Sequence, residues 1–167
     1  MGETYLLLTK VRKWSIIGRE VRMNWKIENG VLIVVECCEE EVVVPEGVTV
    51  IGDYAFANSA VRKVRLPLSV KKIEDKAFYC SGLEEITLPR NVFWVGNRAF
   101  DCSELRVLRI DNPLVTLMPE IVDHCYNLED VYFAGSMAEW ESAFEPEEQP
   151  YSAPFVLHLA GGATVQY

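Results

Sequence analysis

Between Val48 and Gly135 the apolar residues recur on a period that is neither the 3.6 of a helix nor the 2.0 of an isolated strand. Ala55-Phe56, Ala77-Phe78 and Ala99-Phe100 stand 22 residues apart. Three further columns keep step with them. Val48, Val70, Val92 and Leu114 form one, and Ile51, Ile73, Val95 and Leu117 another. Val44-Pro45, Leu66-Pro67 and Leu88-Pro89 form the third, which Ile110 continues. The units read VTVIGDYAFANSAVRKVRLPLS, VKKIEDKAFYCSGLEEITLPRN and VFWVGNRAFDCSELRVLRIDNP, then LVTLMPEIVDHCYNLEDVYFAGS. The last is looser: it has one extra residue before Leu128, and Ile121-Val122 replaces Ala-Phe. Coincident columns at one period are the signature of stacked structural repeats.

The pattern predicts the elements. In each unit a run such as Leu83, Ile86 and Leu88 turns its apolar residues to one side of a short strand. Stacking the units lays these strands about 4.8 Å apart in a parallel sheet. The V-x-x-I and Ala-Phe positions then fill the interior from the opposite wall. A lone unit cannot bury that interior, so the array needs several units and atypical ends. At the first end Val21, Met23, Trp25 and Ile27 alternate with polar residues, and Asn29-Gly30 predicts a two-residue hairpin turn into a strand over residues 31–35. At the other end Ser136-Met-Ala-Glu139 is a capping box that opens a short helix through Phe144, which the Pro-rich stretch 145–150 ends. An apolar strand over residues 155–159 adds to the sheet, and Gly161-Gly162 turns the tail.

The pattern V-x-x-I-x-x-x-A-F-x-x-C-x-x-L-x-x-I-x-L-P resembles the BspA-like, or type 5, leucine-rich repeat, over about residues 25–160. WKIENGVL (25–32) is similar to the hairpin that opens such arrays, and YFAGSMAEW (132–140) to their closing G-S-x-x-x-W segment. The expected fold is a right-handed solenoid of about four and a half repeats. It has a mostly parallel sheet on one face, short strands and turns on the other, a β-hairpin N-cap and a helix-plus-strand C-cap. Residues 1–22 read as an extension, 23–44 as the N-cap, 45–135 as the repeats and 136–167 as the C-cap. The resemblance implies a surface-exposed interaction protein of the adhesin kind, hence a non-catalytic protein-binding module at the cell surface or secreted. The alternative is a structural, self-associating solenoid.

Charge narrows the partners. The 167 residues carry 16 basic and 25 acidic side chains, a formal net charge of −9, which repels phosphate backbones and argues against nucleic acid. The first 22 residues run the other way, with five basic residues against two acidic. No apolar run reaches the roughly 20 residues of a membrane span. Tyr5-Leu6-Leu7-Leu8 is too short for a secretory core and its basic residues come after rather than before it, so the chain taken literally stays in the cytoplasm.

Chemistry is sparse. Five cysteines with no C-x-x-C pair read as free thiols rather than a disulfide or zinc framework. Asn58, Cys80, Cys102 and Cys125 read as one column of small buried residues after the Ala-Phe turn. Cys37-Cys38 beside Glu39-Glu40-Glu41 makes a poor nucleophile, because nearby carboxylates raise a thiol's pKa. His124 falls beside the cysteine column and His158 is expected to face solvent. No hydrolase, zincin, P-loop or dinucleotide fingerprint appears, so no catalytic residue, cofactor or metal is assigned.

The outward strand positions say more. One column reads Glu40, Arg62, Glu84, Arg106, Glu129 and the next Glu41, Lys63, Glu85, Val107, Asp130. Opposite charges across adjacent strands contribute roughly 0.2–1 kcal/mol per pair and penalise a one-repeat slip. The third column, Val43, Arg65, Thr87, Arg109, Tyr132, lacks that complementarity. Arg65, Arg109 and Tyr132 are residue types favoured at interfaces and are candidate partner-binding residues. On the other wall Phe93-Trp94 sits between Val50 and Val115 where half-exposed residues are expected. This pair is a candidate hot spot or homodimer patch, unless residues 1–22 fold back over it.

Overall fold

The computed structural model describes residues 12–16, 19–36, 39–101, 103–144 and 154–167. The chain coils with one strand on each wall per turn. The first wall contains β1 (Arg12–Ile16), β2 (Arg19–Glu28), β3 (Val31–Glu36), β5 (Val50–Ile51), β7 (Lys72–Ile73), β9 (Trp94–Val95) and β11 (Thr116–Leu117), hydrogen-bonded in that order. The second contains β4 (Glu41–Val43), β6 (Lys63–Arg65), β8 (Glu85–Leu88), β10 (Val107–Ile110), β12 (Asp130–Phe133), β13 (Val156–Leu159) and β14 (Thr164–Gln166), again in order. Among the described residues a single helix, α1 (Met137–Ala143), comes after β12.

The period of 22 appears as register. Lys63 faces Glu85 and Glu85 faces Val107, while Val107 faces Asp130, one residue further on. Between the walls lies an apolar core in which Phe56, Phe78 and Phe100 are fully buried. Their rings stack at 4.9 and 5.4 Å between centroids, so each turn is keyed to the next.

The segment carrying Ala-Phe is neither strand nor helix, yet its backbone is paired. Phe56 N–H donates to the carbonyl of Ala77, and Asn58 N–H to that of Tyr79, at 2.8 and 2.9 Å. Short turns fold the same segment: the N–H groups of Ser59, Ser81, Ser103 and Cys125 donate to the carbonyls of Phe56, Phe78, Phe100 and Val122. Two columns hold positive φ here, Tyr54, Lys76, Arg98 and Glu120 in one, Asn58, Cys80 and His124 in the other.

That geometry corrects the cysteine column. His124, not Cys125, continues Asn58 and Cys80, and Cys125 continues Ser59, Ser81 and Ser103. The extra residue therefore enters after Cys125, at the exposed Tyr126-Asn127. Nor is the column one of buried small residues: Asn58 and His124 are exposed and Cys80 half-buried. Its requirement is a left-handed backbone, which Asn and His tolerate better than most residues. Cys37, Cys38 and Cys102 lie outside the described residues.

A second correction concerns Leu114. Val48, Val70 and Val92 are buried, but Leu114 is 78% exposed and Val115 occupies the interior instead. In the earlier turns the carbonyls of Pro45, Pro67 and Pro89 accept from the valine N–H three residues on. The fourth turn has its proline at 113, and the Asn112 side chain accepts from Leu114 N–H instead, so Leu114 swings outward. The same shift buries Val115, against the half-exposed position that the repeat predicts for it.

The turn and the cap expected at the two ends are both formed, while residues 145–150, expected to end the helix, lie outside the described residues. Asn29 and Gly30, at φ 51° and 79°, turn β2 into β3, whose Val31 and Leu32 pair with β5. β2 runs unbroken through residue 22, pairing with β1 in its first half and β3 in its second. Ser136 caps α1 with a complete capping box. Trp140 of that helix packs edge-on to Phe133 and donates through Nε1 to the Tyr167 hydroxyl at 3.0 Å. Gly135 is obligatory here: a Cβ would stand 2.6 Å from the Phe133 ring. The tail adds β14 antiparallel to β13, a strand the sequence pattern does not announce.

Candidate functional site

The outward face of the second sheet is a grid in which strands are rungs and the three polar columns run along the solenoid axis. Alternation within each strand sets it up. In β10, Leu108 and Ile110 point inward and are buried, leaving Arg109 exposed; β6 and β8 obey the same rule.

The cations of two columns are paired with carboxylates across strands. Arg62 Nη2 lies 2.6 Å from Glu84 Oε1 and Arg62 Nη1 3.4 Å from Glu40 Oε2. Arg106 Nη2 lies 2.7 Å from Glu129 Oε1. The hydrogen bonds to Glu84 and Glu129 push both guanidinium pKa values further up. Lys63 pairs with Glu85 in the second column. The charge ladder read from the sequence is thus formed at these rungs.

The third column behaves otherwise. Among the described residues, neither Arg65 nor Arg109 has an ion-pair partner. Arg109 sits over Tyr132, with Cζ 3.9 Å from the ring centroid. Tyr132 stacks in turn on His158 of β13, centroids 4.2 Å apart and planes 8° from parallel. His158 Nε2 is 2.6 Å from Asp130 Oδ1. His158 faces the outer side as expected, but the sequence does not place it in this column, because Tyr132 and His158 meet only through the register of β12 and β13. Val43, at the open end, is 64% exposed.

The Phe93-Trp94 pair stands on the other wall, away from Arg65, Arg109 and Tyr132. Phe93 is 45% exposed and Trp94 half-buried. Lys72 of the preceding turn places Nζ 5.8 and 6.0 Å from the two ring centroids. In the sheet order four strands separate β1 from β9, and residues 1–11, half of the segment expected to fold over the pair, lie outside the described residues.

One cluster escapes sequence reasoning. Asp101, Asp123 and His124 bring ligand-type atoms within 4.8 Å of one another. His124 Nδ1 is 3.0 Å from Asp101 Oδ1 and 3.2 Å from Asp123 Oδ2, and Arg98 Nε lies 4.0 Å from Asp101 and 2.5 Å from Glu120. Asp101 is buried, so a partner is required, and His124 supplies it. The signal is present in the sequence only once His124 is aligned with Cys80 and Cys102. Cys125, beside the cluster, has its thiol pKa pushed up to about 11 by burial and donates to the Phe100 carbonyl at 3.0 Å.

No helix among the described residues is long and apolar enough to cross a membrane. No curated protein matches the sequence. Among solved structures, the crystal structure of the pneumococcal vaccine antigen PcpA is similar in fold, with a TM-score of 0.51 and 18% identity. The match covers 68% of this chain and 36% of that one, so the chain spans about a third of that antigen's length. The family model described as "BspA type Leucine rich repeat region" matches residues 34–146 with six copies, and the chain belongs to that family.

Proposed function

We propose that this chain is a non-catalytic interaction module that docks a protein partner on the outer face of its second sheet. The observation that carries the reading is the third column. Neighbouring cations on the same face are neutralised across strands, yet among the described residues Arg65 and Arg109 have no ion-pair partner, and Arg109 rests on the Tyr132 ring. Exposed arginines beside a half-buried tyrosine on a sheet supply contact area at low conformational cost. Membership of a repeat family that includes surface proteins, and likeness in fold to a vaccine antigen, favour a place at the cell surface. The test is affinity capture of host or bacterial surface proteins on the wild type and on the Arg65→Glu, Arg109→Glu double variant. The charge-reversed protein is expected to lose the partner; equal capture by both sinks the reading.

A second reading rests on Phe93. An aromatic side chain 45% exposed next to a half-buried tryptophan favours self-association through the first wall. Sedimentation equilibrium of the wild type against Phe93→Ser, Trp94→Ser decides it: a wild type that stays monomeric at high concentration excludes the dimer.

A further inference from the structure

We infer that the segment docked on the third column is acidic, and that Arg109 is a pre-positioned fork for one of its side-chain carboxylates. This rests on the reading that the column docks a protein.

Arg109 is held through a chain of three contacts. Asp130 engages His158, His158 stacks on Tyr132, and Tyr132 carries the Arg109 guanidinium on its face. Stacking uses the π surface of a guanidinium and leaves its in-plane N–H donors free. Among the described residues none of those donors has a protein acceptor. The side chain has therefore already lost much of its rotamer freedom, and the group it best fits is a carboxylate taken in two parallel charge-assisted hydrogen bonds.

The surroundings fix the partner's charge spacing. Arg65 lies two strands from Arg109, a step of about 9.6 Å, with the Thr87 side chain between them. The second column runs alongside, two residues away on the same strands, and contributes Glu85 beside Thr87 and Asp130 beside Tyr132. A densely charged polyanion laid on this face would meet those carboxylates as well as the arginines. Acidic side chains spaced like Arg65 and Arg109 meet only the cations. An extended acidic protein segment satisfies the face, and a sulfated glycan or nucleic acid does not.

The probe is a capped dodecapeptide with glutamate at every third residue and serine between, whose extended same-side spacing of about 9.3 Å matches that step, added to the full chain and monitored through the arginine Nε–Hε resonances. The Arg65 and Arg109 signals are expected to shift, those of Arg62 and Arg106 to stay. Affinity is expected to fall at least about tenfold in Arg109→Gln and to weaken with added salt. Tyr132 and His158 are positioning residues. His158→Ala is expected to weaken binding by a few-fold and to broaden the Arg109 Nε–Hε signal in the free protein, a change that a merely structural role for His158 would not produce. Shifts confined to Arg62 and Arg106, unchanged affinity in Arg109→Gln, or tighter binding of a heparin octasaccharide each overturn the inference. If the peptide fails to bind while Arg65→Glu, Arg109→Glu still abolishes partner capture, the acidic partner falls alone. If capture is also unaffected, the docking reading falls with it.

Discussion

Residues 48–110 and residues 111–135 build the same coil from different materials. The first three turns share Ala-Phe, a valine after a Pro-led turn, and a serine three residues beyond the phenylalanine; the fourth has Ile121-Val122, an exposed Leu114 and Cys125. What both keep is the backbone pattern. Phe100 N–H still donates to the carbonyl of Ile121, Met118 N–H to that of Val95, and Cys125 N–H to that of Val122. The hydrogen-bonded coil is the invariant, and side chains are exchangeable where volume and φ allow. An added residue is tolerated at the exposed corner of Tyr126 and Asn127, where it disturbs no ladder bond between β10 and β12.

The largest contrast is expected at the phenylalanine stack. Phe78 lies fully buried between two rings in a close-packed core. Phe78→Ala is expected to cost about 3–5 kcal/mol in denaturant unfolding. Phe100→Val, next to the turn that already carries Val122, is expected to cost less. Equal losses would mean that the stack is not cooperative along the axis.

The Leu114 exchange gives the next contrast. Val92→Ala removes buried methyls and is expected to cost about 2 kcal/mol, whereas Leu114→Ala is expected to stay within about 0.5 kcal/mol. Comparable losses would return Leu114 to the core and the fourth turn to the regular pattern.

The C-cap tests whether the irregular turn depends on the helix beyond it. Ser136→Ala is expected to cost about 1 kcal/mol. The backbone and hydroxyl hydrogen bonds of Ser136 hold the Glu139 carboxyl below its usual range. Its folded pKa lies below the unfolded one, so this stabilisation is present above the unfolded value and is lost as pH falls through the folded value. The difference between wild type and Ser136→Ala is therefore expected to shrink as the medium is acidified below about pH 4.3. A difference independent of pH would mean that the box does not form in solution.

Much of the coil is legible because it repeats. The 22-residue columns predict the solenoid, Asn29-Gly30 the opening hairpin, and Ser136-x-x-Glu139 the closing helix. The rest depends on local backbone geometry or on register between distant strands. The proline at 113 moves Leu114 outward through an Asn112 side-chain bond. A left-handed φ, not burial, defines the Asn58–Cys80–His124 column. The stack of Arg109, Tyr132 and His158 requires knowing that β13 pairs with β12 at that offset, because Tyr132 and His158 stand off the period of 22. Arg65, Arg109 and Tyr132 can be singled out because their column lacks alternating charge, but not the partners that hold Arg109.

The smallest expected effect is also the sharpest comparison, because one site holds serine in three turns and cysteine in the fourth. Ser59 Oγ and Ser81 Oγ are buried and lack a hydrogen-bond partner, and an unsatisfied buried hydroxyl costs about 1–3 kcal/mol. Cysteine behaves as a small hydrophobe with a weaker demand for a partner. Ser81→Cys is accordingly expected to stabilise the chain by up to about 1 kcal/mol, and Cys125→Ser to be neutral or slightly destabilising at pH 7. The two variants part company in alkali. The Cys125 thiol, raised by burial to about 11, stays protonated in the folded chain while the unfolded thiol ionises. Its stabilisation is full below the unfolded value of about 8.5 and is lost as pH climbs toward 11. Thermal unfolding measured from about pH 7 to about pH 10.5 is therefore expected to show an alkaline decline in the wild type that Cys125→Ser reduces. Curves that run parallel would mean that Cys125 is not buried, and that the fourth turn closes less tightly than the three before it.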